Sequence, residues 1–358
     1  MTTRVTGGPR VEGGTVFFRL PDEAGELDSV RLYQEISRPR LGPAFEFDDA
    51  SRSWTLEFPR PRALRMEYLL EVRRAGDAAG LMPDPHNERR APGPFGDKSE
   101  ILLDGYERPE WLEEEAEPGL VRRLEVRCRP FHARLPVLVW APPGSDPSER
   151  LPLLLVHDGP EFAEYARLTT FLEVMTGRQR IPRMRAAMIG PVDRDHSYSA
   201  SAAYTRSLAH QIMPELMRAA PVPHGRSARM GMGASLGALA MLHLHRREPA
   251  SLGGVFLMSG SYFRKRYDPQ EAHFVRFGRI SRFVGEVLTA ETWGHPIPMK
   301  MTCGTVEENL SNNRALRTAL LKQGYDVPLH ENPDGHNWTA WRDVFDPHLT
   351  DFIGDNWG

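Results

Sequence analysis

The chain has 358 residues, with 45 Lys and Arg against 48 Asp and Glu, and both signs are interspersed. A formal net charge of -3 spread in this way leaves no single-sign field of the kind that draws nucleic acid or an anionic membrane, so neither is expected as a partner. The two cysteines, Cys128 and Cys303, are too far apart for a disulfide framework or a zinc-ligand spacing and are expected reduced and buried.

The opening stretch, MTTRVTGGPRVEGG, lacks the apolar core of a leader, and runs such as LPLLLV are too short to span a bilayer; a cytoplasmic protein is expected. Residues 14–115 read as short alternating strands, GTVFFRL, SVRLYQEI, AFEFD, SWTLEF and MEYLLEVRR, parted by Pro, Gly and Asp. That pattern predicts a small antiparallel sandwich. Trp54, Tyr33 and Tyr68 fall in the alternation and are read as packing residues rather than a sugar platform. The loop-rich segment that follows, LMPDPHN through EEEAEPGL, suits an extended linker, which puts the boundary near Pro118 and the domains at 1–117 and 118–358.

Beyond it, strands alternate with helices. LEVRCRP and LPVLVWAPP form a leading hairpin, and LPLLLVHDG, RAAMIGPVD, ARMGMGA, GGVFLMSGS, PIPMKMTCG and DVPLHE are strands between helical periods. This order predicts an α/β fold with a mostly parallel sheet covered by helices on both faces. An excursion from Tyr262 to Ala290 interrupts it; the partly amphipathic segment from Tyr267 to Val284 reads as a lid, with a dimer contact as the competing reading.

Chemistry in such a fold collects at the carboxyl ends of the strands. GASLG, from Gly233 to Gly237, stands at one of them, and small neighbours at a sharp strand-to-helix turn would lift the Ser235 hydroxyl clear of the backbone and aim the Leu236 N–H at a reacting carbonyl. A serine nucleophile needs a base, and His336 follows the last strand. The loop after PIPMKMTCG supplies an acid to orient it. Glu307 is the choice, ahead of Glu308, Asp268 and Asp334. The order serine, acid, histidine is that of an α/β-hydrolase. A second oxyanion donor is expected after LPLLLVHDG; Pro160 has no N–H, which leaves Gly159, Glu161 or a less regular donor.

These residues resemble the enterochelin (ferric enterobactin) esterases and their esterase-D-like relatives. The resemblance runs through DPHN at Asp84–Asn87, HDG at His157–Gly159, GASLG, CGTVEEN at Cys303–Asn309 and GHNWTAWR at Gly335–Arg342. It implies an α/β-hydrolase fold with an N-terminal immunoglobulin-like module, and ester hydrolysis through an acyl-enzyme on Ser235 with His336 as base. It implies a small-molecule ester substrate, a catecholate siderophore trilactone first among them, with no cofactor beyond the iron such a ligand carries. Carbohydrate-linked feruloyl or small acyl esters are the alternative substrates. A non-catalytic binding protein and an acyltransferase are the alternative functions. RDHSY places Ser197 where relatives have glutamate, and Asn337 stands where GHDW is commoner. His157, Arg194, Tyr198, Trp338 and Trp341 are the expected substrate contacts, with ordering of the HDG loop the alternative for His157, a structural salt bridge for Arg194 and packing around the histidine loop for the two tryptophans. Tyr262 and Phe263 are placed on the same strand-end loops. His243 and His245, two apart on a helix, diverge and are read as packing residues.

Overall fold

Alternation in the first hundred residues buries one face of each strand: from Thr15 to Pro21 it is Val16, Phe18 and Leu20 that lose solvent. The computed structural model describes residues 8–358; the first seven, part of the stretch read for a leader, lie outside the described residues. The strands β1 (Arg10–Glu12), β2 (Thr15–Pro21), β6 (Ser53–Pro59) and β5 (Glu46–Asp48) form one antiparallel sheet in that order. The second sheet runs β4 (Leu41–Ala44), β3 (Leu27–Gln34), β7 (Arg65–Arg74), β10 (Lys98–Leu102) and β9 (Arg90–Ala91), with β8 (Gly80–Met82) also on β7. Their inner faces share one apolar core, in which Phe18 meets Tyr68 edge-on at 5.1 Å.

Two departures from the expected strands have local causes. AFEFD is not one strand: the chain breaks at buried Phe45, whose N–H bonds Val30, so that β4 and β5 belong to different sheets. The segment read as linker is partly sheet. Asp84 accepts from the Tyr68 hydroxyl at 2.7 Å, and Asn87 Nδ2 donates to that oxygen at 3.2 Å and to the Glu100 carbonyl at 2.8 Å. This polar knot ties the DPHN turn to β7 and β10. Tyr68 and Trp54 sit in the apolar packing, with Trp54 Nε1 on Asp22.

The second unit is a mixed α/β layer structure around an eight-stranded sheet. Its strands are β11 (Leu120–Cys128), β12 (Ala133–Ala141), β13 (Leu153–His157), β14 (Arg185–Ile189), β15 (Arg229–Ala234), β16 (Gly254–Met258), β17 (Met299–Gly304) and β18 (Leu329–Asn332). The order is β11-β12-β14-β13-β15-β16-β17-β18; the hairpin β11–β12 and its pairing with β14 are antiparallel, and β13 to β17 pair in parallel. Every residue of β13, β14 and β16 is buried, as strands covered on both faces require. The covering helices are α1 (Gly159–Glu164), α2 (Leu168–Gly177), α3 (Arg194–Ser197), α4 (Ala202–Ser207), α5 (Met213–Ala219), α6 (Leu236–Arg247), α7 (Phe277–Thr289), α8 (Leu310–Lys322), α9 (Trp338–Asp343) and α10 (Thr350–Trp357). None among the described residues is long and apolar enough to cross a membrane. Both cysteines are buried.

The chain forms two compact units, the second taking in residues from Arg108 onward, where Trp111 is buried against Phe171 at 5.4 Å and Phe345 at 6.4 Å. Two short segments of the later chain, Gly304–Glu308 and Pro333–Ala340, belong with the first unit. The lid reading fails over α7. Phe277, Ile280, Phe283, Val284 and Val287 are buried at helical spacing, which makes α7 a core helix, anchored by Arg279 donating to the carbonyls of Ser199 and His196.

Three histidines lie in the interior of this unit. His157 pairs with Tyr204, His243 with Thr205 at 2.6 Å and His245 with Tyr325 at 2.8 Å. Burial pushes their pKa values down, to about 4 for His157 and about 3 for the other two. Folded, they stay neutral; unfolded, they take a proton near the ordinary value of about 6.5. Stability is therefore complete above that value and falls as pH drops through it towards the folded values, each histidine contributing up to about 1.4 kcal/mol per pH unit. Urea unfolding should show a lower midpoint at pH 5 than at pH 7.5, and His243→Gln should flatten that slope; a pH-independent midpoint would contradict the burial argument.

Candidate active site

From Met230 to His245 every residue is buried except Ser235. The reason is the bend it occupies. Ser235 adopts φ 57°, ψ -123°, a region open almost only to glycine, with its N–H on Met258 O at 2.9 Å and its carbonyl accepting from Ser261 at 3.1 Å and Leu239 at 3.2 Å. A Cβ on Gly233 would lie 2.5 Å from the Gly237 carbonyl carbon, so the turn closes only with glycine there. A Cβ on Gly237 would press on His157 and Asp158 at 3.2 and 3.3 Å. Leu236 opens α6, so its N–H has no acceptor within the helix. The Ser235 hydroxyl lies 3.0 Å from that of buried Ser261, a neighbour that no sequence motif announces, brought in from the end of the adjoining strand β16.

At the end of β13, Asp158 takes left-handed backbone angles and Gly159 begins α1. A Cβ on Gly159 would fall 2.2 Å from the Met188 backbone, so nothing larger fits. Pro160 is harmless there, since the first helical N–H groups lack helical acceptors in any case. The loop is locked from three sides. Arg194 grips Asp158 with Nε and Nη2 at 2.9 and 2.8 Å, Tyr198 accepts from Asp158 N–H at 3.3 Å, and His157 Nδ1 meets the Gly237 carbonyl at 3.2 Å.

These contacts show where the expected substrate residues lie. His157 and Tyr198 have no exposed surface, and their rings pack at 4.3 Å beside the Asp158 turn. Arg194 is half-buried and spends its fork on Asp158. Tyr262 and Phe263 are core residues. Trp341 is buried, its Nε1 donating to Ser259 Oγ at 3.0 Å and its ring 6.2 Å from Phe162. Trp338, half-buried, opens α9. Ser197, in the usual glutamate position, donates to the Asp193 carbonyl at 2.6 Å.

Glu307 and His336 both lie in segments of the first unit. Glu307 Oε2 lies 2.6 Å from His336 Nδ1, and Oε1 accepts the Gly304 N–H at 2.6 Å, which fixes the carboxylate in the strand-exit turn. Glu307 is almost fully buried, while His336 keeps part of its surface. Glu308 points elsewhere, to Arg38 and Arg40. Asp334 accepts from Arg65, and Asp268 from Arg264 N–H and Asn312. With Nδ1 facing a carboxylate, the proton belongs on that nitrogen and the basic lone pair on Nε2.

Residues 131–352 match the model of a family described as "Putative esterase". The iron(III) enterobactin esterase of Dickeya dadantii (strain 3937) is 25% identical over 238 residues, 60% of this chain and 53% of that protein, so the match spans about half of the relative's length. A Bacillus subtilis (strain 168) protein is 23% identical over 242 residues, 64% of this chain and 96% of its own. Among solved structures, the enterobactin esterase from Shigella flexneri in the presence of enterobactin superposes with a TM-score of 0.76 at 18% identity, covering 98% of this chain and 96% of that one. A ferulic acid esterase superposes with a TM-score of 0.58 at 16% identity, covering 67% of this chain and all of the other. The fold is thus shared with both.

Proposed function

This chain belongs to the esterase family matched over residues 131–352, and on that premise we propose that it is a serine esterase of the α/β-hydrolase type, working through an acyl-enzyme on Ser235. The observation that carries the reading is the Glu307–His336 pair at 2.6 Å, which sets the imidazole up as a base, in chain order after a serine held at a strained elbow. Ser235 Oγ attacks the ester carbonyl carbon while His336 Nε2 takes its proton. The Leu236 and Gly159 N–H groups stabilise the resulting oxyanion. The tetrahedral species collapses, the C–O bond to the alcohol breaks, and His336 returns the proton to the leaving oxygen. Water, deprotonated by the same nitrogen, then attacks the acyl carbon, the bond to Ser235 Oγ breaks as that oxygen takes the proton back, and the carboxylic acid leaves. Glu307 holds the imidazolium throughout and stays ionised.

The substrate we favour is an enterobactin-type ester, a trilactone or its linear fragments, because likeness to the enterobactin esterases runs over both units while that to the ferulic acid esterase covers two thirds of the chain. An immunoglobulin-like first unit and a cytoplasmic site of action belong to the same reading. Fluorophosphonate should label Ser235 covalently in folded protein, and kcat/KM on a catecholate trilactone should exceed that on feruloyl and short acyl esters. Absence of labelling would favour the binding-protein reading; a preference for feruloyl esters would move the substrate and leave the mechanism.

A further inference from the structure

The side chain of Arg65, at the start of β7, has no exposed surface. A guanidinium in that position is tolerable only when its donors are answered. Nε donates to Asp334 Oδ2 at 3.1 Å, Nη1 to Glu100 Oε1 at 2.5 Å, and Nη2 to Glu67 Oε1 at 2.9 Å and to Asn337 Oδ1. Glu67 and Glu100 stand on β7 and β10 of the N-terminal sheets, whereas Asp334 and Asn337 bracket His336. One cation therefore ties the histidine loop to a rigid pair of strands. The loop is pinned again beside it, where Leu64 N–H donates to the Pro333 carbonyl at 2.7 Å.

Within the loop the acceptors are shared out. Asp334 Oδ1 takes the Gly335 N–H at 2.6 Å and Asn337 Nδ2 at 3.2 Å, and Asn337 Oδ1 also takes the Ala340 N–H at 2.8 Å, starting α9. Lys98 adds a second cation at 3.7 Å from Glu67 and 2.8 Å from Glu35. The planar fork of Arg65 reaches four acceptors in different directions, which a lysine ammonium does not reproduce.

We propose that Arg65 is a positioning residue for His336: anchored by Glu67 and Glu100, it fixes the 334–337 loop so that Nδ1 stays on Glu307 and Nε2 stays the basic nitrogen. The proposal rests on the serine-esterase reading. It also assigns Asn337 its place, as the amide that joins the guanidinium to the start of α9.

The test compares wild type with Arg65→Lys, Arg65→Met, Asp334→Asn and His336→Ala in the full chain. Substrate is a chromogenic aryl ester, and active sites are counted by exhaustive phosphonylation. Arg65→Lys and Asp334→Asn should lower kcat per site by about 10- to 100-fold with little change in KM, the response to a misplaced base. Added guanidinium ion should restore part of the rate of Arg65→Met. If Arg65→Met does not fold, Asp334→Asn carries the same comparison. Unchanged kcat per site with a lowered melting temperature, and no rescue, would overturn the proposal and leave Arg65 a structural cation. An active His336→Ala would overturn the esterase reading and this inference with it.

Discussion

Ser235→Ala should lower kcat on any ester this protein accepts by about 10⁵- to 10⁶-fold, down to the level that oxyanion binding alone sustains. The hydroxyl is the only atom removed, and the elbow that presents it is held by backbone bonds to Met258, Ser261 and Leu239 that alanine keeps. What stability loses is one hydroxyl pair with Ser261, worth about 1 kcal/mol. A rate collapse in a protein that melts close to the wild type is therefore the expected combination, read by steady-state kinetics beside a thermal melt. Retention of more than a few per cent of kcat would place the nucleophile elsewhere, and Ser261 would be the first residue to test.

Glu307→Gln and Glu308→Gln should separate sharply although the residues are adjacent. Glu307 makes a short contact to His336 Nδ1 from a buried position, so its amide would lose the charge that stabilises the imidazolium and offer an N–H₂ where an acceptor is needed. A fall in kcat of about 10³- to 10⁴-fold is expected, as for a triad held in the wrong tautomer. Glu308 pairs with Arg38 and Arg40 at the surface, where ion pairs contribute about 0–1 kcal/mol, and kcat should move by less than about threefold. The reverse result would transfer the acid to Glu308 and require the 304–308 turn to rearrange.

Much of this arrangement is legible from local pattern. Period-two burial marks the strands of the first unit, the compact apolar runs mark β13, β14 and β16, and glycines 233 and 237 mark the elbow, because each is a property of neighbours in the chain. The choice of Glu307 over Glu308 is a one-residue decision that spacing only leans towards; the Gly304 N–H, which captures Oε1, turns that side chain to the imidazole.

Other roles could not be read from local pattern. Arg194, Tyr198 and His157 look like ligand groups in sequence, since an arginine and two aromatic rings at strand ends suit a binding cleft. Their contacts with one another and with Asp158 belong to the folded chain, because a buried carboxylate must be answered. Trp341 is likewise committed to Ser259 and Phe162.

The class of fold, the chain order of Ser235, Glu307 and His336, and a turn that only small residues allow are short-range in origin and legible in the chain. Which polar side chains answer which depends on distant segments meeting. Arg65 and Asp334 are 269 residues apart, and no periodicity or motif can pair them. Burying a cation demands partners from wherever the chain returns, and here it returns at the loop that carries His336.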